Sequence, residues 1–193
     1  MNKKYVKYII EVLLFAALVA VDLLTKYLVF DLLDGKTSVV VLDKIFSIRL
    51  ARNTGASFSI LSGQLTFLTV MPIIAILAIG VLLVVRPNTP KNMRLGAILI
   101  AAGALGNLID RLVLGYVRDF IDYVFLDTFF GIDFAIGNVA DLFLLMGVVM
   151  LIVYVIFEYQ DKDFYSKKRL AQLQQSQEVP VENTVEGETK DGE

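Results

Sequence analysis

The uninterrupted apolar run from Leu65 to Val85 constrains this chain more than any other feature. It holds 21 residues without a charge, and at about 1.5 Å per helical residue it crosses the ~30 Å hydrocarbon core of a bilayer. The whole chain is 56% hydrophobic, above the roughly 45–50% of soluble domains. Further apolar runs predict helices over about residues 8–30, 95–112 and 134–157. We therefore expect a membrane all-α protein with four transmembrane helices.

The residue types that the chain lacks narrow its chemistry. It has no His and no Cys, which excludes disulfides, thiol nucleophiles, histidine bases and the common zinc ligands. The net charge of −2 argues against nucleic acid as a partner. Catalysis in such a chain must use carboxylates, hydroxyls, Lys or Tyr, and we expect neither a metal nor another cofactor.

The stretch of about residues 36–62 differs in kind from the apolar runs on either side. β-branched and aromatic side chains alternate there with polar ones, and Gly35, Gly55 and Gly63 punctuate the pattern, which is typical of short strands and turns. Open sheet edges are not compatible with lipid. The sequence therefore predicts a small extracytoplasmic β-cradle between the first and second helices.

Both ends of the chain are polar. Residues 1–7 are basic and precede the first apolar run, as in a secretory signal peptide, but no small-x-small cleavage site follows and the run carries Asp22 and Lys26. We expect this run to be retained as a helix. The chain is polar from Glu158 and rich in Glu, Gln, Ser and Thr beyond Gln172, which predicts a disordered acidic tail over residues 161–193. The domain prediction is one membrane domain over residues 1–160.

The distribution of basic residues predicts the orientation. Up to Arg169, ten of them lie on the side of the membrane that holds the N-terminus and six on the other side. The positive-inside rule then makes the N-terminal side cytoplasmic. With four spans, both termini and the acidic tail are predicted to be cytoplasmic.

Polar residues from six separate parts of the chain should then meet near the outer surface. They are Asp22, Lys26, Asn53, Asn107, Asp110, Arg111, Asp119, Asn138 and Asp141. The insertion of a charged side chain at the bilayer centre costs about 3 kcal/mol of free energy on insertion scales. Residues of this kind therefore lie at an interface, form ion pairs or have a role in function. Their convergence predicts a functional site.

Asp119 and Asp141 are the two members of this group that best suit catalysis. Both lie where a long apolar run meets a polar loop. Two carboxylates brought close together share one proton, because they do not easily ionise together. The ionised member can accept a proton from water while the protonated member polarises a carbonyl. Peptide hydrolysis matches these residue types best, and a proton-coupled transporter and a structural membrane subunit are the alternatives.

Other charged residues have structural interpretations. Asp22 and Lys26 are four residues apart on one helical face and can pair, with Lys26 extending to the membrane surface. Asp110 and Arg111 can form an ion pair at a helix end. Three further acids in the 113–133 loop are interpreted as solvated, namely Asp122, Asp127 and Asp133.

Five short blocks stand in order along the chain. They are Asp22-Leu-Leu-Thr25-Lys26, Asn53-Thr-Gly55-Ala56-Ser-Phe58, Gly103-Ala-Leu-Gly106-Asn107-Leu-Ile-Asp110-Arg111, Val117-Arg118-Asp119-Phe120 and Asn138-Val-Ala140-Asp141. These blocks are similar to the D-x-x-T-K, N-x-G-A-x-F, G-A-x-G-N-x-x-D-R, V-V-D-F and N-x-A-D patterns of the bacterial lipoprotein signal peptidases, or type II signal peptidases. One block alone is weakly specific, whereas five in order are highly specific.

The resemblance implies an aspartic endopeptidase that removes the signal peptide from prolipoproteins, cutting before a diacylglyceryl-modified cysteine. It implies a multi-pass enzyme of the bacterial cytoplasmic membrane whose site lies near the extracytoplasmic face and whose partners are these substrates and membrane lipid. We expect a monomer. Asp119 and Asp141 become the catalytic pair. The substrate-binding or orienting positions are Asn53, Gly55, Asn107, Arg111 and Asn138, and the supporting positions are Asp22, Lys26, Asp110 and Ala140.

The chain departs from the family pattern at several positions. Arg118 replaces the second Val before Asp119, and a basic side chain there lowers the pKa of that carboxyl if it points inward. The other departures are Ala102 for a Gly, Ala135 for a Pro, Gly137 for an aromatic residue, and a longer stretch over 122–131. No catalytic group is lost, and an inactive relative is the remaining alternative.

Overall fold

Four long apolar helices carry the fold. The computed structural model of the protein describes residues 3–33, 36, 38–55 and 65–159. Its helices are α1 Lys3–Leu32, α2 Leu65–Val85, α3 Lys91–Leu114, the short α4 Val124–Phe130 and α5 Val139–Val153, followed by a π-helical stretch, Tyr154–Tyr159. Four segments are long and apolar enough to cross a membrane, namely Tyr5–Leu32, Thr66–Val85, Lys91–Leu114 and Val139–Phe157. The predicted class of four transmembrane helices is confirmed.

The helix ends differ from the sequence-based bounds where polar residues continue or cap a helix. α1 and α3 begin at Lys3 and Lys91, before the predicted residues 8 and 95, because lysines at the end of an apolar run still fit a helix. α5 begins at Val139, later than the predicted residue 134. The predicted tail over 161–193 lies outside the described residues, as do Ala56 to Phe58 of the second motif block.

The middle of the helical part is formed by α3. Its buried residues include Ala97, Ala101 and Ala102, whereas no residue in the most apolar window of α2 is buried inside the protein. Gly103 of α3 lies so close to the main chain of α5 that an added Cβ would collide with the carbonyl oxygen of Ala140. Small residues therefore let α3 and α5 approach at backbone distance.

Gly103→Ala should destabilise the protein, because its Cβ would meet that backbone oxygen of Ala140 and would lie 2.9 Å from Cγ of Leu144. Overpacking of this kind costs about 1–3 kcal/mol and should lower the midpoint of thermal denaturation in detergent. Gly80→Ala is the matched control, since nothing lies within 4 Å of the Cβ position there and Ala is the better helix former. Equal midpoints for the two variants would contradict the close packing.

A three-stranded antiparallel sheet accompanies the helices. Its strands are β1 Ser38–Leu42, β2 Phe46–Asn53 and β3 Val117–Asp122, in the order β1-β2-β3. β1 and β2 confirm the small sheet predicted between the first two spans. The register pairs Ala51 with Asp119 and Asn53 with Val117, so Asn53 lies diagonally across from Asp119.

The third strand is a difference from the sequence analysis, which interpreted residues 113–133 as a loop. The segment instead contains β3 and α4. Four of the six residues of β3 are buried on both faces, including Phe120 and Ile121, so the strand lacks the period-two alternation that identifies a half-exposed strand. Its backbone also holds the segment before α5, because the amides of Phe120 and Ile121 donate to the carbonyl oxygen of Gly137 at 2.8 and 2.7 Å.

A buried ion pair joins three helices near the start of α3. Arg94 is 2% exposed, and its guanidinium donates to both carboxylate oxygens of Glu11 at 2.6 Å. It also donates to the carbonyl oxygens of Leu83 and Arg86 at 2.9 and 3.2 Å. These are carbonyls that the C-terminal end of a helix leaves open. Arg94 is one of the ten basic residues that were counted for the orientation, and in the structure it ties α1 and α2 to α3.

Candidate active site

Polar side chains from five elements meet where the sheet joins the helices. The structure brings together Asp22 and Lys26 of α1, Asn53 of β2, Asn107, Asp110 and Arg111 of α3, Asp119 of β3, and Asn138, Ala140 and Asp141 at the start of α5, with Gly55 just after β2. Most of them are buried, and they are joined by hydrogen bonds that run between different helices and strands.

Asp119 is held by two amide side chains. Its carboxylate is 2% exposed; one oxygen accepts a hydrogen bond from Nδ2 of Asn53 at 2.9 Å and the other from Nδ2 of Asn138 at 2.6 Å. The two donors come from β2 and from the residue before α5. Hydrogen bonds on both oxygens fix the plane of the carboxyl group.

Asp141 is fixed by the way in which α5 begins. The Asn138 side chain accepts a hydrogen bond from the Asp141 amide at 3.1 Å, and the Asp141 carboxylate accepts one from the Asn138 amide at 2.9 Å. This reciprocal pattern is a capping box, with Asp at the third helical position. The other oxygen of Asp141 accepts from Nδ2 of Asn107 at 2.8 Å. Local helix capping thus aims the carboxylate.

Asn138 links the two carboxylates. It is fully buried, and its Nδ2 donates to Asp119 and, at 3.0 Å, to Oδ1 of Asn107. Since its main chain and Oδ1 are bonded to Asp141, one side chain reaches both acids. The hydrogen bonds of Asn138 therefore couple the positions of the two carboxylates.

A buried cation lies behind this pair. Lys26 is fully buried, and its Nζ donates to Oδ2 of Asp22 and Oδ1 of Asn107, both at 2.8 Å, with Asp110 at 3.5 Å. The interpretation of Lys26 as a side chain extending to the membrane surface was wrong. Buried charges of this kind must be neutralised locally, because their desolvation is costly.

Asp22 connects this cation to α5. Its second oxygen accepts a hydrogen bond from the amide of Ala140 at 2.9 Å, an amide that the first turn of a helix leaves open. Gly106 of α3 allows the approach, since an added Cβ there would collide with the Asp22 carboxylate. The Gly that precedes Asn107 in the motif therefore makes room for a carboxylate of another helix.

Asp110 pairs with Arg118 rather than with Arg111, so the predicted ion pair at the end of α3 was wrong. The guanidinium of Arg118 lies 2.7 Å from Oδ1 of Asp110, and the Arg118 amide donates to Oδ2 at 3.0 Å. The charge of Arg118 is therefore neutralised by Asp110. It does not hydrogen bond to Asp119 among the described contacts, although it is the next residue in the chain.

Arg111 faces the segment after β2. Its Nη2 donates to the carbonyl oxygen of Gly55 at 3.3 Å, while the Gly55 amide donates to Oδ1 of Asn53 at 3.0 Å. The Nε of Arg111 is buried and has no hydrogen-bond partner within the described part of the chain. A buried donor of this kind is available to an incoming acceptor such as a peptide carbonyl.

The three acids interpreted as solvated do not behave alike. Asp127 and Asp133 are exposed, as expected. Asp122 instead accepts a hydrogen bond from the hydroxyl of Ser47 at 2.9 Å and lies 3.2 Å from Nε of Arg49. It joins β2 to β3, which the sequence analysis could not anticipate without the third strand.

Burial raises the pKa of the Asp119 carboxyl to about 6. The hydrogen bonds from Asn53 and Asn138 oppose this shift because they favour the ionised form, while the charge of Asp141 adds to it. A carboxyl group that is still half protonated near pH 6, next to a second carboxylate, is the arrangement in which one acid can donate while the other accepts.

This shift predicts that the free energy of unfolding falls as the pH rises from about 4 to about 6. Across this window folded Asp119 keeps a proton that the unfolded chain, with its ordinary pKa of 3.8, has lost, so the folded state binds more protons. The full effect amounts to at most about 3 kcal/mol. Denaturation midpoints in detergent between about pH 4 and pH 7 should therefore decrease for the wild type.

The same series for Asp119→Asn should be flatter, because the titrating group is gone. Asp127→Asn removes an exposed carboxyl and should keep the wild-type slope. A full slope in Asp119→Asn would contradict the assignment of the raised pKa to this residue.

Tyr123 also borders the site, although the sequence analysis did not single it out. It lies between β3 and α4, and a Cβ built at Gly137 would lie 3.6 Å from its hydroxyl and 3.2 Å from Oδ2 of Asp141. No motif in the sequence marks this tyrosine. The absence of a side chain at Gly137 was the one signal that pointed to this place.

Comparison with known proteins gives matches over most of the chain. Residues 14–157 match the sequence profile of a family described as signal peptidase (SPase) II. The lipoprotein signal peptidases of Staphylococcus aureus strains JH9 and Newman are each 36% identical to this chain over 163 residues, which is 84% of this chain and 96% of each relative.

Solved structures are similar as well. Two structures described as a bacterial membrane enzyme obtained by the in meso method, at 2.3 and 1.9 Å resolution, match with TM-scores of 0.67 and 0.64. Both are 34% identical in sequence, and the matches cover 79% and 76% of this chain and 90% and 92% of those chains.

Proposed function

Since this chain belongs to the signal peptidase II family, we propose that Asp119 and Asp141 together hydrolyse the bond before a lipid-modified cysteine in prolipoproteins. Family membership makes the chain a membrane protease of lipoprotein processing. Beyond family membership, we propose the use of two aspartates, the position of the cleaved bond and the identity of the catalytic residues. The observation that carries it is the bridge through Asn138, which bonds Asp119 at 2.6 Å through its side chain and Asp141 at 2.9 Å through its amide.

The pair starts the reaction with one proton. The raised pKa of Asp119 supports placing that proton on Asp119, with Asp141 ionised. Asp141 then takes a proton from a water molecule, and the water oxygen forms a bond to the carbonyl carbon of the scissile peptide. Asp119 gives its proton to the carbonyl oxygen, so the intermediate is a neutral gem-diol.

Collapse of this intermediate breaks the carbon–nitrogen bond. The leaving nitrogen takes the proton held by Asp141 and becomes the amine of the cysteine product. A hydroxyl of the gem-diol returns its proton to Asp119 as the acid product forms. The pair ends with one proton, as it began, so no further reactant is needed.

The remaining side chains bind and orient. The Nε of Arg111 is buried without a hydrogen-bond partner among the described residues, and Arg111 interacts electrostatically with Asp119 and Asp141. We assign Arg111 and Asn53 to the backbone carbonyls of an extended substrate. Lys26 and Asp22 support the site from behind through Asn107 and Ala140. The substrate enters sideways from the bilayer, so that its acyl chains stay in lipid.

The basic residues support cytoplasmic termini and a site near the extracytoplasmic surface. The absence of cysteine makes this easy to test with single replacements at exposed positions. With a thiol reagent that does not cross membranes, Lys36→Cys should be labelled in intact cells and Asn88→Cys only after lysis. The reverse pattern would contradict the orientation.

The function is tested with purified protein in detergent and a prolipoprotein that carries a diacylglyceryl group on its cysteine. We expect a shortened product whose first residue is the modified cysteine, identified by intact mass. The matched substrate has this cysteine replaced by serine, cannot be lipid-modified, and should be cut far more slowly. A folded protein that leaves the lipid-modified precursor intact would indicate an inactive relative.

A further inference from the structure

Gly137 leaves a space beside the carboxylate pair, and Tyr123 borders that space. A Cβ built at Gly137 would lie 3.2 Å from Oδ2 of Asp141, 3.6 Å from the hydroxyl oxygen of Tyr123 and 3.7 Å from its Cε2. The carboxylate and the phenol therefore flank the same small volume. A side chain at position 137 would therefore enter between Tyr123 and Asp141.

Both sides of this space are held rigidly by backbone hydrogen bonds. Gly137 is tied to β3, since its amide donates to the carbonyl oxygen of Ile121 at 3.0 Å and its carbonyl oxygen accepts from Ile121 at 2.7 Å. Tyr123 follows β3 by one residue, and its carbonyl oxygen accepts from Leu126 at 3.0 Å in the first turn of α4. The phenol is thus attached to the same strand that carries Asp119.

The ring of Tyr123 is also packed. It meets Phe134 edge to face, with ring centroids 5.6 Å apart and an interplanar angle of 83°. Such pairs hold an aromatic ring in place and contribute beyond their buried area. The position of the hydroxyl is therefore set by the fold and not by a freely rotating side chain.

The hydroxyl keeps its proton and can therefore donate it in a hydrogen bond toward the pair. Burial raises the pKa of Tyr123 above its ordinary value of 10.0, and the charges of Asp141 and Asp119 raise it further. The phenol stays protonated wherever a carboxylate pair works. The other charged groups that face the pair are Lys26 of α1 and Arg111 of α3, with Asp110 next to them.

We propose that Tyr123 is a positioning residue of this active site. Its ring closes the side of the pair that Gly137 leaves open, and its hydroxyl is a neutral donor that favours the ionised form of the carboxylate beside it. This inference rests on the proposed function, since it assumes that the pair is the catalytic group. It assigns a role to a residue that belongs to none of the five motif blocks.

Tyr123→Phe keeps the ring and removes the hydroxyl, so it isolates the donor. If the hydroxyl donates to the pair during the reaction, kcat should fall about tenfold, the usual size of one hydrogen bond to a charged group, with KM changed by less than about twofold. Loss of a donor raises the pKa of a carboxyl, so the pH profile of kcat should move to higher pH. Tyr123→Leu removes the ring as well and should lower kcat further.

Tyr5→Phe is the matched control. Tyr5 lies on α1 and is 62% exposed, remote from the carboxylate pair, and this variant should keep the wild-type kcat and pH profile. Denaturation midpoints of all three variants show whether a loss of activity follows from misfolding. Because Phe retains the packing against Phe134, Tyr123→Phe should fold like the wild type.

An unchanged kcat and pH profile in Tyr123→Phe would overturn the proposal, and so would a loss confined to KM, which indicates substrate contact only. Infrared titration of the protonated carboxyl band that disappears in Asp119→Asn gives the pKa of Asp119 without any cleavage. In Tyr123→Phe a larger share of the proton should lie on Asp141, so the Asp119 band should titrate at lower pH. If the wild type cleaves nothing, the proposed function fails, whereas the infrared result still decides whether the hydroxyl acts on the pair.

Discussion

Asp119→Asn and Asp141→Asn are each expected to reduce cleavage by on the order of a thousandfold or more. An amide has nearly the shape of a carboxyl group, but it neither accepts a proton from water nor returns one to the leaving nitrogen. The measurement is the rate of product formation from a diacylglyceryl-modified prolipoprotein, with each variant at the same concentration of folded protein.

Asp127→Asn serves as the control, since this carboxyl is exposed on the short helix α4 and should leave the rate unchanged. Both catalytic variants should remain folded, because Asn can keep an oxygen acceptor toward one of the amide donors that hold each acid. Substantial cleavage by Asp119→Asn or Asp141→Asn would remove that residue from the catalytic pair.

Lys26→Met is expected to be the most destabilising single change at the site, by about 3–5 kcal/mol. Lys26 and Asp22 are both fully buried, and Asp110 is 1% exposed. Removal of the cation leaves a buried carboxylate without its partner, and this costs more than the pair itself contributes. The midpoint of thermal denaturation in detergent should fall steeply, with a matching loss of folded protein in the membrane.

A second change should partly repair this loss. Asp22→Asn in the Lys26→Met background removes the isolated charge while keeping an acceptor for the Ala140 amide, so the double variant should be more stable than Lys26→Met. Lys91→Met changes an exposed lysine and should be neutral. A Lys26→Met protein that melts like the wild type would show that the buried cation is not needed for the fold.

The helices and the first two strands were predictable because their signals are local. A charge-free run of 21 residues allows few structures other than a membrane span, and alternation between two spans indicates strands. In these places the sequence pattern and the final contacts coincide. The capping box at Asn138 and Asp141 is local too, but the sequence analysis missed it, since the apolar residues before Asn138 extended the predicted helix back to residue 134.

Contacts between distant parts of the chain were the ones that could not be anticipated. β3 has no alternating pattern because it is covered on both faces, so it was taken for a loop. The predicted ion pair of Asp110 with Arg111 was wrong for a related reason. The actual partner, Arg118, reaches Asp110 only because β3 turns back from α3. Tyr123 carries no motif, and only the folded structure brings it next to Gly137.

The departures from the family pattern have physical explanations in two cases. Arg118 is bonded to Asp110 at 2.7 Å, so its charge is neutralised instead of facing the carboxylate pair. Gly137 is accompanied by Tyr123, whose ring lies next to the vacated position. Nothing in the structure explains Ala135.

Membership of the signal peptidase II family removes the two alternatives that composition left open. A transporter would use the buried Asp22–Lys26 pair as a proton relay. Here Lys26 instead contacts Asn107 and Asp110, and Asp22 accepts a hydrogen bond from the amide of Ala140. These contacts hold α1 against α3 and the start of α5, which is a structural role. A purely structural subunit gives no reason for a second carboxylate next to one whose pKa is raised to about 6.

The most direct test of the account is a single-turnover comparison of wild type, Asp119→Asn, Asp141→Asn and the double variant on one lipid-modified prolipoprotein. If the two acids act as one unit, each single change removes nearly all catalysis and the double variant is no slower than the singles. Losses that multiply in the double variant, or a single variant that still cleaves well, would contradict the claim that Asp119 and Asp141 work together.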